Sequence, residues 1–318
     1  MISIVSDMEQ CRCLWKGLIR PLSLFDIWEV RACFQKHYGY RPAFIVLKHA
    51  AGSSGLLALS WIEEYGYLGY FPGETYRGKT WLEQNRLVAP TSVAASELVN
   101  QCDMPMHLRY LTEPWPEPSA SWGVDELGYL FRPTDYGYCF DRYLQSFSAK
   151  RRKGLTREMA SFVSCGITYR YNDLSDIHRV FDLNLNAFGD QSYFADKRFL
   201  AAFKEWMLLL NERDLLRITA VLVGGQIAAI DLGAVYRGVY TVLAGGTHPG
   251  FKGIAKVINC HHMEWACSER LDLVDFLCGD FSWKERFHLT PRPLYQFRKS
   301  PVEHTECVSP SGVLTHAE

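Results

Sequence analysis

No uncharged apolar run in the 318-residue sequence approaches the roughly 20 residues of a membrane-spanning helix, so no segment is expected to cross a bilayer. Charge of one sign is equally lacking. Lys and Arg total 34 against 35 for Asp and Glu, a balance that argues against a nucleic-acid or acidic-membrane partner. There is no Cys-x-x-Cys pair among the ten cysteines. Cys260, His261, His262 and Cys267 invite a zinc reading, but adjacent histidines point to different faces of a helix, and Cys11 with Cys13 is as weak. No metal is expected. The first ten residues hold two acids and no continuous apolar core, unlike a secretory signal, so the thiols are expected to stay free in a cytoplasmic setting. What remains is a globular composition, 48% hydrophobic and 22% charged, long enough for two medium domains.

The most informative stretch runs from 215 to 287. Strands are predicted at 217–223 and 226–235, joined at Gly224-Gly225, and at 239–244 after Arg237-Gly238. A loop containing Gly245, Gly246, Gly250 and Gly253 follows. Ile254, Val257, Ile258, His261 and Trp265 then recur at helical spacing. A short strand at 273–277 opens onto Gly279 and Asp280. A glycine-rich loop feeding a helix offers unpaired N–H groups and the positive end of the helix dipole, which suits a phosphate.

Elsewhere, helices are predicted at 22–38, 80–94 (loose after Pro90), 141–162, 174–187 and 196–213, with strands at 44–47, 56–61, 67–71 and 167–171. A proline-rich connection at 113–119 and a polar, aperiodic tail at 299–318 are expected to be irregular. The halves echo one another. Gly66, Thr75 and Gly78 correspond to Gly238, Thr247 and Gly250, and the run through Val46, Gly52 and Leu56 parallels that through Val221, Gly224 and Ile227. Similar helices, 22–38 and 196–213, precede both copies. The pattern predicts a duplicated α/β unit.

Three segments carry a resemblance: Ser148-Ala-Lys-Arg-Arg-Lys-Gly154, Gly224-Gly-Gln-Ile-Ala-Ala229, and residues 275–284 with Gly279, Asp280 and Lys284. Here the sequence resembles the GNAT superfamily of acyl-CoA-dependent N-acyltransferases, in its two-lobed, CelD-like branch related to the Fem-type aminoacyltransferases. The resemblance implies an α/β (α+β) protein of tandem GNAT-like lobes, with mixed central sheets flanked by helices. Lobe 1–135 would be degenerate or acceptor-binding and lobe 136–298 catalytic, with 299–318 a disordered tail. It also implies direct acyl transfer from acyl-CoA, acetyl-CoA first, to an amine of a small or cell-envelope-related acceptor, with no metal. In single-lobed members a Gln/Arg-x-x-Gly-x-Gly/Ala loop holds the CoA pyrophosphate; here Gly250 replaces its first residue, and Gly253 and Ala255 fit. A backbone N–H near Ala244, Gly245 and Gly246 would polarise the thioester carbonyl. Fem-type relatives use aminoacyl-tRNA instead.

Each candidate has a plainer reading. Gly250, Lys252, Gly253 and Ala255 either grip the donor phosphates or form an ordinary tight loop. Asp280 either removes a proton from the acceptor amine or caps the next helical turn. Lys284, four residues on, either binds an anionic acceptor or pairs with Asp280. Asp231, within an apolar strand, is either paired internally or placed to meet a cationic substrate. Ser192 and Tyr193 either line the acceptor side or belong to a loop. The run 150–153 is a solvated face, a hold on the distal CoA phosphate, or a tRNA contact. Finally, Gly73, Gly78, Lys79 and Thr80 satisfy a P-loop pattern, although Tyr76 and Arg77 are bulky for one. The rivals to acyl transfer are thus a Fem-like transferase, a P-loop nucleotide-binding protein and a non-catalytic binding protein.

Overall fold

The computed structural model describes residues 2–48, 54–114, 121–279 and 283–300. The first half comprises β1 (Ile2–Val5), α1 (Met8–Leu18), α2 (Trp28–Tyr38), β2 (Arg41–Pro42), β3 (Phe44–Lys48) and β4 (Ser54–Leu57). It continues with β5 (Leu59–Ile62), β6 (Tyr67–Tyr70), α3 (Ser92–Asn100), β7 (Met106–Leu111) and β8 (Trp122–Phe131). The second half opens with α4 (Phe140–Gln145), α5 (Ala149–Ser164), β9 (Ile167–Tyr171), α6 (Asp176–Phe188) and α7 (Lys197–Glu212). Then come β10 (Leu216–Val223), β11 (Gln226–Tyr236), β12 (Val239–Thr247), α8 (Ile254–Ser268), β13 (Leu273–Asp275), α9 (Trp283–Arg286) and β14 (Thr290–Lys299).

The duplication is visible in the connectivity. Hairpin β3–β4 corresponds to β10–β11, and each copy then makes a parallel pair through a helical crossover, β6–α3–β7 and β12–α8–β13. The helices that precede the copies, α2 and α7, pack on each other, with Phe34 5.7 Å from both Phe199 and Trp206. One apolar cluster therefore draws on both halves: Phe25, Phe34 and Leu82 from the first, Phe199, Trp206, Ala244 and Leu277 from the second.

The strands form a small sheet, β1-β3-β4, and a continuous sheet of order β2-β5-β6-β7-β14-β8-β13-β12-β11-β10-β9. The lobes are joined through β14. It pairs antiparallel with β8 from Thr290↔Leu130 to Phe297↔Trp122, and with β7 on its other edge. Two strands consecutive in the sequence are thus separated by a strand some 160 residues later (290 against 130).

Several expectations are corrected. Residues 80–90 are irregular, with isolated bridges at Asn85 and Val88, instead of helical, because buried Glu74 accepts hydrogen bonds from Thr80 Oγ1 (2.5 Å), Trp81 N (3.2 Å) and Leu82 N (2.7 Å). Helix α3 starts only after Pro90, where Thr91 caps Ala94 N. The P-loop reading fails on the same geometry: no helix follows Gly78, Lys79 and Thr80, and the Gly78 amide donates to Tyr65 Oη at 2.8 Å. The predicted helix 141–162 divides at Ser148, whose side chain accepts from Arg151 N and starts α5. The strand expected at 273–277 ends at Asp275, where the side chain takes the Leu277 amide (2.9 Å) and Leu277 turns to φ 56°. Elements β1, α1, β2, β7, β8 and β14 were not anticipated. Lys299, placed in the expected tail, ends β14, and residues 301–318 lie outside the described residues. So do Gly52 and Ser53 of the expected 52–55 turn and most of the proline-rich connection.

We propose that lobes divided near 135 fold as one unit, because both long edges of β8 are covered by strands from beyond that point. A fragment ending at residue 135 is expected to be insoluble or unfolded, which circular dichroism and sedimentation would check; a soluble, cooperatively melting fragment would contradict this.

Candidate functional site

Strands β12 and β13 pair only over Val239–Thr241 and Leu273–Asp275, then part. A bulge helps to open them: Ala244 faces Leu232 while Val242 faces Gly233, leaving Leu243 as the extra residue that bends β12. Glycine is required at the bared end. A Cβ on Gly245 would stand 2.0 Å from Asp231 Oδ1, and one on Gly246 would stand 2.6 Å from Leu183 Cβ. From α6, Asn184 Nδ2 donates to Gly245 O (3.3 Å) and is held by Ser192 Oγ (2.7 Å). Ser192 is buried and serves as this support.

The gap leads to the start of α8. Gly253, at φ 91°, precedes the helix without a side-chain cap. Within the loop, Gly250 N donates to His248 Nδ1 (3.1 Å) and Phe251 N to His248 O (3.1 Å). Among the described residues the amides of Lys252, Gly253 and Ala255 have no acceptor, and all three residues are exposed. These are the orphan donors of a helix N-terminus.

The first lobe differs at the matching place. Beyond Leu68↔Met106, β6 and β7 also part, but residues 85–88 cross the gap. Val88 exchanges backbone bonds with Leu56 (2.7 and 3.0 Å), and Asn85 bonds to Tyr110 O (2.8 Å) and Thr112 N (3.0 Å). The chain plugs its own first cleft.

That plug carries an acidic group into the junction of the lobes. Arg31 of α2, 1% exposed, donates to Phe25 O (2.8 Å), Phe71 O (3.1 Å), Glu83 O (3.3 Å) and Asn85 Oδ1 (2.7 Å). The Glu83 carboxylate then reaches the end of β13, where Oε1 accepts from Cys278 N at 2.7 Å. Beside it, Asp275 accepts from Arg292 Nη1 and Gln84 Nε2, both at 2.9 Å. Burial, with Asp275 adding to it, pushes the Glu83 carboxyl up to about 7, against the opposing pull of the Cys278 amide and Arg292. Burial, with Glu83 and Glu126 adding to it, raises the Cys278 thiol far above its ordinary value, so the sulfur stays protonated.

The residues picked out from the sequence are not gathered at one point. Gly250, Lys252, Gly253 and Ala255 lie on the α8 loop, and Ala244, Gly245 and Gly246 on the bared end of β12. Lys284 is buried, with Nζ donating to the carbonyls of Phe276 (2.9 Å), Leu277 (2.8 Å) and Cys278 (2.9 Å), and burial lowers its pKa. It holds the turn after β13. Asp280 lies outside the described residues. Asp231 accepts from His262 Nε2 at 2.9 Å beneath α8, with both side chains buried. Tyr193 donates to Thr80 O (3.1 Å) and packs edge-on to Trp81. Glu83 was not singled out; its one sequence signal is a lone acid just after Trp81-Leu82.

A mixed sheet whose parallel pair parts beside a crossover helix, built twice with only the second of those helices uncapped, defines a two-lobed protein of GNAT-like fold. Residues 149–285 match the family described as "Acetyltransferase (GNAT) domain". Among solved structures, the chain is similar to a conserved protein of unknown function from Bacteroides thetaiotaomicron VPI-5482. That match has 14% identity and a TM-score of 0.58, covering 94% of this chain and 99% of that one. FemX matches at 10% identity and a TM-score of 0.57, covering 94% and 97%. L-PGS from Bacillus licheniformis matches at 13% and 0.53, covering 92% of each chain. At these identities the likeness is one of fold. No curated protein matches the chain significantly.

His262→Ala leaves Asp231 buried beside Gly245 without its partner, and a loss of about 3–5 kcal/mol is expected in urea denaturation. Adding Asp231→Asn to that variant should restore part of the loss.

Proposed function

We propose that the chain moves an acyl group from an acyl-CoA, acetyl-CoA being the simplest, to a primary amine of a small or cell-envelope-related acceptor. The observation that carries this reading is that β12 and β13 stop pairing beyond Thr241 and Asp275 while the α8 that follows β12 has a bare first turn. In this reading the pyrophosphate sits on the amides of Lys252, Gly253 and Ala255, with the Lys252 ammonium adding a point charge. The pantetheine arm follows the unpaired edge of β12 past Gly246 and Gly245. A backbone N–H there polarises the thioester carbonyl, and the amine enters from the junction of the lobes. Among the described residues no helix is long and apolar enough to cross a membrane.

A second reading takes an aminoacyl-tRNA as donor. It is supported by the fold shared with FemX and by exposed Lys150, Arg151 and Lys153 on α5. This reading requires activity that ribonuclease destroys.

Thermal-shift measurements with acetyl-CoA, free CoA and ATP side by side test the first reading. Both CoA species are expected to raise Tm and ATP alone to do so far less. Ala255→Glu places a carboxylate among the proposed phosphate donors. It should abolish the CoA-induced shift while leaving the unliganded Tm unchanged or slightly higher, since an acid suits a helix start. A CoA shift that survives this substitution would remove the phosphate site from α8.

A further inference from the structure

We infer that Glu83, supplied by the first lobe, accepts the proton of the incoming amine in the transfer proposed for the second lobe; the inference rests on that reading. The plug explains how a residue of the non-catalytic lobe comes to the end of β13. Residues 85–88 fill the first cleft, Arg31 fixes the Glu83 carbonyl and the Asn85 side chain, and the side chain of Glu83 is left pointing across the junction to Cys278.

The two carboxylate oxygens are treated differently. Oε1 is held by the Cys278 amide, whereas Oε2 is buried with no nitrogen or oxygen donor on it among the described residues; the Cys278 thiol lies against the carboxylate, and the ion-pair contact with Arg292 Nη2 is at 3.8 Å. An oxygen held in this way, with an unused lone pair, is a proton acceptor in want of a donor. The groups around it set its readiness. Asp275 of β13 raises its proton affinity and Arg292 of β14 lowers it, while Lys284 of α9 adds a positive charge nearby. Tyr110 of β7 and Tyr193, before α7, are both pushed well above the ordinary phenol value, and the Cys278 thiol likewise, so all three stay neutral. With the carboxyl near 7, both its forms are populated at neutral pH, as a base in acyl transfer requires.

The step balances without a further reactant. The acceptor ammonium gives one proton to Glu83, directly or through one water. The freed lone pair forms the N–C bond to the thioester carbonyl, and the C–S bond breaks with its electron pair leaving on sulfur. The sulfur takes the second proton from nitrogen, giving amide and CoA thiol, and Glu83 returns its proton to solvent.

The test uses the full chain with acetyl-CoA and two amine probes, following thiol release. Ethanolamine is an ammonium at neutral pH and needs the base; hydroxylamine is already neutral and does not. Glu83→Gln keeps the shape and the acceptor for Cys278 N. It is expected to retain the acetyl-CoA thermal shift, to transfer to ethanolamine about a hundredfold more slowly, and to lose much less with hydroxylamine. In the wild type, kcat/KM for ethanolamine should fall as pH drops through about 7, and that limb should vanish in the variant. Since the folded-state value lies above the ordinary 4.5, charging Glu83 costs stability as pH rises from 4.5 through 7. The variant should therefore melt no lower than wild type at pH 8. An unchanged ethanolamine rate, a retained acid limb, equal losses with both amines or a lowered Tm at pH 8 would each overturn the role of Glu83. A wild type that binds acetyl-CoA but acylates neither amine would also overturn it. Absence of any acetyl-CoA shift in the wild type would instead bring down the donor reading, and this inference with it.

Discussion

The guanidinium of Arg31 is the contact on which the two-lobed arrangement turns. A buried arginine is costly unless its donors are used, and here they bind acceptors at Phe25, Phe71, Glu83 and Asn85. One side chain of α2 thus fixes both ends of the long crossing from β6 to α3. Glu74 braces the middle of the same crossing through Thr80, Trp81 and Leu82. Neither contact repeats in the second lobe, where Gly250 and Gly253 lead into α8 by a short loop instead. A duplicated unit has become asymmetric by spending one cleft as a structural seam and keeping the other open.

The asymmetry also explains the composition of the second cleft. Asp231, Gly245 and Gly246 look like a polar active-site string in one dimension. In three, Asp231 is tied to His262 under α8, and the glycines are dictated by Asp231 on one side and Leu183 on the other. The packing that excludes side chains from the end of β12 leaves its backbone within reach of other groups, as the Asn184 amide on Gly245 O shows. Shape and chemistry at that edge therefore have a single cause.

Much of the second lobe was legible in the sequence because its signals are local. The Gly224-Gly225 and Arg237-Gly238 turns set the hairpins of β10, β11 and β12, and the recurrence of Ile254, Val257 and Ile258 sets α8. The echo at Gly66, Thr75 and Gly78 revealed the duplication. What was hidden depends on partners far along the chain. Residues 80–90 read as a helix because the pull of Glu74 and Arg31 cannot be seen in periodicity. Strand β14 was not legible because its pairing with Trp122 and Leu130 is set in the first half. Glu83 was passed over for the same reason, since its burial comes from Arg31, Cys278 and Asp275. The hold of Lys284 on three carbonyls of the turn after β13 could not be read from its spacing to Asp280, which lies outside the described residues.

The insertion of β14 between β7 and β8 has a consequence for synthesis. As the polypeptide leaves the ribosome, β7 and β8 emerge well before the strand that belongs between them. Until residues 290–299 arrive, the nascent first lobe must leave that slot vacant or close it wrongly by direct β7–β8 pairing. Vectorial folding, normally an advantage to an N-terminal lobe, is here withheld, so a chaperone able to shield those edges would serve this chain more than one of ordinary topology.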